Sequence, residues 1–127
     1  STLLFTHFIQ AQEVMYQGSF EADSYWTTFE GDWKILNTEG KLTVVFADNF
    51  EAKKAPDLKI FFSKLALEDI DGENAADNSS SVLVAELNTY KGKVVADIPN
   101  GIDPAQFKSI IVHCEKYAKL WGGSSLQ

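Results

Sequence analysis

Apolar and polar residues alternate along this chain in short runs, each rich in β-branched or aromatic side chains and each closed by Gly, Pro, Asn or Asp. A period of two puts successive side chains on opposite faces of an extended segment, so the pattern predicts strands. They fall at residues 25–30, 33–37, 41–47, 58–64, 82–88, 93–98, 109–114 and 118–121. About eight short strands at this spacing imply an all-β fold, an antiparallel β-sandwich or barrel.

Between the runs, Thr38-Glu39-Gly40 has the length and the terminal Gly of a three-residue hairpin loop, and Tyr90-Lys91-Gly92 offers a second hairpin. Asp103-Pro104 pairs an N-cap residue with Pro at the first helical position, which predicts a single helical turn over residues 103–107. Residues 65–81 carry no strand signal and hold Glu68, Asp69, Asp71, Glu73 and Asp77, the composition of a solvated surface loop.

The chain has 127 residues, the size of one domain, and no repeat or composition shift divides residues 19–127. Nine Phe, four Tyr and three Trp supply a core. Eighteen acids against eleven Lys and no Arg give a net charge of −7, which speaks against a nucleic-acid partner because Arg is the side chain suited to phosphate and base edges. No apolar run approaches the roughly 18 to 20 residues that span a bilayer. Residues 1–18 read as a signal-peptide remnant or an N-terminal arm, since the apolar start ends at Ala11, before Gln12-Glu13. An extracytoplasmic location, whether secreted, periplasmic or lipid-tethered, is therefore expected.

Candidate chemistry is sparse. Asp69-Ile70-Asp71-Gly72-Glu73-Asn74 has the look of a calcium loop, but the sixth and twelfth places, which need Gly and Glu, hold Asn74 and Ser80. Zinc would want three or four clustered ligands, and haem an axial ligand from His113 or Met15, so no cofactor is evident and neither haem nor calcium is expected. His113 adjoins Cys114 but points to the opposite face of the same strand, which rules out a Cys–His catalytic pair within it. No classical enzyme site emerges. Strand parity groups Ile110, Val112 and Cys114 on one face and Ser109, Ile111 and His113 on the other, and a free Cys on an apolar face is most often core.

Several segments carry a family likeness: Gly31-Asp32-Trp33-Lys34-Ile35, Phe50, Ala55-Pro56-Asp57-Leu58 with the aromatic strand up to Ser63, Ala85-Glu86-Leu87, Lys91-Gly92 and Ile98-Pro99. Phe107 to Tyr117 around Cys114 and Trp121-Gly122 to Leu126 complete it. In order and spacing, from about Phe29 to Leu126, these resemble the DM-thirteen domain, a cysteine-bearing extracytoplasmic domain often found beside cytochrome-like DOMON domains. An aromatic often precedes the family's cysteine, and here that place is His113. The resemblance implies a β domain whose cysteine, Cys114, takes part in redox or electron transfer.

The expected function is thus a redox accessory domain centred on Cys114; the alternative is a non-enzymatic adhesion or ligand-binding module in which Cys114 is core packing. A single thiol cannot cycle an internal disulfide, so the first reading implies a redox partner protein or neighbouring domain. It also expects Cys114 to be partly accessible at the strand's end, with Lys116 or Lys108 favouring the thiolate.

Overall fold

The computed structural model of the chain describes residues 11–126. Eleven strands follow in order: β1 (Gln12–Ser19), β2 (Glu21–Ala22), β3 (Phe29–Glu30), β4 (Asp32–Thr38), β5 (Lys41–Phe46), β6 (Glu51–Ala52), β7 (Leu58–Ser63), β8 (Ser81–Glu86), β9 (Val94–Asp97), β10 (Ser109–Cys114) and β11 (Lys119–Ser125). One antiparallel sheet runs β1-β4-β5-β9, a second β2-β11-β10-β7-β8, and β3 pairs with β6 in a short ribbon. The fold is all-β, a sandwich of two sheets and not a closed barrel. The helical turn expected after Asp103 is present as a 3-10 turn, Pro104–Gln106, with the Asp103 side chain accepting from the backbone N–H of Ala105 at 3.0 Å.

Alternation explains the core. Trp33 and Ile35 of β4 with Val44 and Phe46 of β5 face Ile60 and Phe62 of β7 and Ile110, Val112 and Cys114 of β10, all at most 1% exposed. Phe20, Phe29, Phe46 and Phe50 form a cluster with ring centroids 4.8–6.3 Å apart. Tilted and edge-on contacts at such distances suit the ring quadrupoles, so the Phe-rich composition serves the interior.

Four expectations are corrected. The segment 25–30 is not one strand: Ser24 to Thr27 is a turn, closed by Thr27 N–H on the Ser24 carbonyl at 3.1 Å, and only Phe29–Glu30 pairs. The first hairpin loop has two residues, because Thr38 pairs with Lys41; Glu39 (φ 53°) and Gly40 (φ 89°) both lie in the left-handed region, the type I′ geometry that matches strand twist. The second hairpin is absent: β8 belongs to the five-stranded sheet and β9 to the four-stranded one, so Tyr90-Lys91-Gly92 crosses between sheets. The 65–81 loop is only partly solvated, since Ile70 and Ala75 are buried with Phe61, Ile111 and Leu120 in a second, smaller core on the outer face of the five-stranded sheet.

Strands β1, β2 and β6 carried too little alternation to be expected. Most of β1 falls within the N-terminal segment 1–18, and it pairs along its length with β4. Residues 1–10, which hold most of the leader-like run, lie outside the described residues.

Candidate functional site

Strand β10 is buried on both faces. Ile110, Val112 and Cys114 enter the main core, while Ile111 enters the second core and His113 packs edge-on against Phe61 at 6.1 Å. The parity argument holds: His113 and Cys114 diverge. His113 Nε2 bonds the Gly72 carbonyl at 2.9 Å, so the ring donates from Nε2 and clips the outer loop down; Nδ1 is buried with no partner among the described residues.

Cys114 is fully buried, which corrects the expectation of a partly accessible thiol. It does sit at the strand's end, between Leu58 of β7 and Lys119 of β11, but the chain segment 53–57 folds over it. Its Sγ donates to the carbonyl of Pro56 at 3.1 Å. The same segment accepts two further side-chain donors, Tyr90 Oη on the Ala55 carbonyl at 2.8 Å and Trp121 Nε1 on the Lys53 carbonyl at 2.8 Å. Pro56 has no N–H and Asp57 turns the chain at φ 61°, so this strap forms no regular ladder: the carbonyls of Lys53, Ala55 and Pro56 are met by side chains, and that of Asp57 by the Glu115 N–H at 3.1 Å.

The cations expected beside the thiol are elsewhere. The Lys116 ammonium lies 5.7 Å over the Tyr117 ring, and Lys108 precedes the strand, six residues or about 20 Å from Cys114 at ~3.3 Å per residue. The charges that do flank the strap are Lys59 with Glu115, to which it is hydrogen-bonded, and with Asp57 at 3.6 Å. The Glu115 carboxylate, with Asp57 beside it, raises the Lys59 pKa above its ordinary value. An open cleft of about 320 Å³, lined by Asp57, Leu58, Glu86, Leu87, Asn88 and Tyr90, adjoins the strap.

Tyr90 and Trp121 were not singled out by sequence reasoning as partners of the cysteine. The available signal was that Tyr and Trp each carry one polar group that must be satisfied when buried, and Trp121 is 6% exposed. In the Asp69 to Asn74 segment two side-chain oxygens bond the segment's own backbone: Asp71 Oδ1 accepts from the N–H of Glu73 and of Asn74 at 2.9 Å each, and Asn74 Oδ1 from Asp71 N–H at 2.9 Å. Among the described residues no three His, Cys, Asp or Glu side chains are grouped to hold a metal ion, and no helix is long and apolar enough to cross a membrane.

The Trp121-Gly122-Gly123 stretch has a packing reason. A Cβ on Gly122 would lie 2.3 Å from the Glu21 carbonyl oxygen, and one on Gly123 2.6 Å from that of Ile110, so β11 tolerates no side chain where β2 and β10 press against it. Comparison with curated proteins and with solved structures returns no match. The family model described as electron transfer DM13 matches residues 19–126. That span runs from the end of β1 through Cys114 and the glycine pair, and the chain belongs to this electron-transfer family.

Proposed function

We propose that the domain's electron-transfer role is centred on Cys114, and that it is exercised outside the cytoplasm with a redox partner protein. The supporting observation is the strap: the side chains of Cys114, Tyr90 and Trp121 all hold the carbonyls of segment 53–57, so the lone thiol lies one layer below the surface beside an open cleft. Reaction requires the strap to lift. The freed thiol loses its proton to water, the thiolate attacks one sulfur of a partner's disulfide, and the partner's other sulfur leaves as a thiolate. One S–S bond forms as one breaks, so Cys114 is oxidised as the partner is reduced.

Incubating the folded protein with glutathione disulfide tests this, with intact mass as the readout. A mixed disulfide at Cys114 below the unfolding transition, lost in Cys114→Ser with the fold retained, is the expected result. A thiol that stays reduced until denaturant is added, with Cys114→Ser costing stability but no activity, overturns the reading.

The alternative, an adhesion or ligand-binding module with Cys114 as packing, draws on two observations. Cys114 is wholly buried, and Tyr25 and Trp26 are 94% and 82% exposed. Exposed aromatics of this kind mark contact surfaces.

A further inference from the structure

Tyr25 and Trp26 are the two most exposed large hydrophobic residues among the described residues. They are the central residues of the Ser24 to Thr27 turn, which two hydrogen bonds close: Thr27 N–H meets the Ser24 carbonyl and Trp26 N–H meets Ser24 Oγ, each at 3.1 Å. Their rings meet edge to face at 5.3 Å, and among the described residues little covers them.

Just before this turn lies a cleft of about 220 Å³ between β2, β11 and the 3-10 turn Leu67–Asp69. Leu67, Leu120, Gly122 and Gly123 line it, together with the acidic residues Glu21, Asp23 and Glu68, of which Glu21 and Asp23 are exposed and Glu68 is half-buried. The Asp23 backbone N–H is bonded to the Trp121 carbonyl at 3.0 Å, which fixes that wall to β11. None of the three carboxylates enters an ion pair among the described residues, whereas Lys41, Lys59 and Lys91 are all paired with other acids. The volume falls below the ~300–1,000 Å³ of small-molecule sites, a size that suits one inserted side chain.

We infer that this cleft and the Tyr25–Trp26 turn together dock a basic segment of a partner protein, with a lysine or arginine stem on the apolar floor and its cationic head among Glu21, Asp23 and Glu68. The aromatic pair adds cation–π faces for a second basic side chain. Charge complementarity selects this occupant: a chain of net charge −7 repels nucleic acid and anionic lipid, and a cleft lined by three acidic residues favours a positive partner. The inference goes beyond the thiol reading and does not need it, because the carboxylates bind whether or not Cys114 reacts.

The test is a titration of the 15N-labelled protein with an acetylated and amidated pentapeptide of alternating lysine and leucine, against a counterpart with glutamate in place of lysine. Shifts confined to residues 21–28, 67–69 and 120–123 are expected for the lysine peptide alone. Affinity should fall at least tenfold in the combined Glu21→Gln, Asp23→Asn, Glu68→Gln variant and several-fold in Trp26→Ala. It should change less than twofold when Glu13, Glu39 and Asp48, on the other sheet and its loops, are neutralised instead. All these side chains are exposed, so the variants keep the fold. Equal losses from the remote set would mean that overall charge alone attracts the peptide. Equal binding of the glutamate peptide would mean an apolar occupant, and Trp26 fluorescence that responds to phosphatidylcholine vesicles and not to peptide would mean a membrane. Each of these overturns the inference. Cys114→Ser should bind the peptide as the parent does, which separates this result from the fate of the thiol reading.

Discussion

Cys114 and Pro56, 58 positions apart in the sequence, are joined by an S–H···O=C bond of 3.1 Å that places the thiol beneath the strap it helps to hold. Two neighbouring bonds from Tyr90 and Trp121 share that task, so the thiol chemistry proposed above depends on the strap's opening. Tyr90→Phe removes one bond worth about 1 kcal/mol and should speed alkylation of the folded protein roughly fivefold. Iodoacetamide labelling followed by mass, in parent and variant below the unfolding transition, checks it; an unchanged rate would mean that the thiol is reached only by global unfolding.

Acid and alkali should loosen different parts of the sandwich. Lys59 has its pKa raised by Glu115 and then Asp57, so its contribution is fully present below the unfolded value of about 10.4 and is lost as pH rises through the higher folded value. Asp32 has its pKa lowered, first by the Ser19 hydroxyl at 2.6 Å and then by the Asn49 amide at 3.0 Å. Its contribution is present above about 3.9 and is lost as pH falls through the lower folded value. Urea midpoints across pH should therefore drop less steeply at the alkaline end in Lys59→Met and at the acid end in Asp32→Asn.

Two glycines should respond differently to a methyl group. Gly40 has open space around its missing Cβ but φ of +89°, so Gly40→Ala should cost about 1 kcal/mol of backbone strain. Gly123→Ala would drive a Cβ to 2.6 Å from the Ile110 carbonyl oxygen inside the central strand pair and should cost several times as much. Thermal melts rank the two, and the reverse order would mean that β10 and β11 yield to a methyl group more readily than the Gly40 turn does.

His113→Leu should release the outer loop. Loss of the bond from Nε2 leaves the Gly72 carbonyl without that donor, at a cost of about 1–2 kcal/mol, while the Phe61 contact is largely kept. Hydrogen exchange should rise at Ala75, whose N–H bonds Asp71 O at 3.1 Å, and stay unchanged in β4 and β5.

Much of this arrangement was legible in the sequence. The alternation from Trp33 to Phe46 and from Ser109 to Cys114 fixed strands and faces, and Asp103-Pro104 fixed the 3-10 turn, because each rests on a local rule. The burial of Cys114 was legible by parity, and the expected exposure failed because a strap 58 residues away in sequence covers the strand's end. Ile70 and Ala75 were hidden among acids, which mark solvent contact for their own side chains and say nothing of an apolar neighbour. Tyr25 and Trp26 read as strand because aromatics favour strands, whereas the Ser24 hydroxyl's bond to Trp26 N–H helps set a turn there.

The pairing of Ala22 with Gly122 and of Phe62 with Ile110 has a consequence for synthesis. β7 and β2 leave the ribosome long before the partners that complete their sheet. At the usual ~5–20 residues per second, β2 waits about 5–20 s for β11, some 100 residues later. Through that interval the nascent chain can form the β4–β5 hairpin, but its five-stranded sheet lacks the central strand β10. Folding of the domain is thus tied to the arrival of its last two strands, and a chain halted before Ser109 would present β7 as an unpaired apolar edge to whatever holds it.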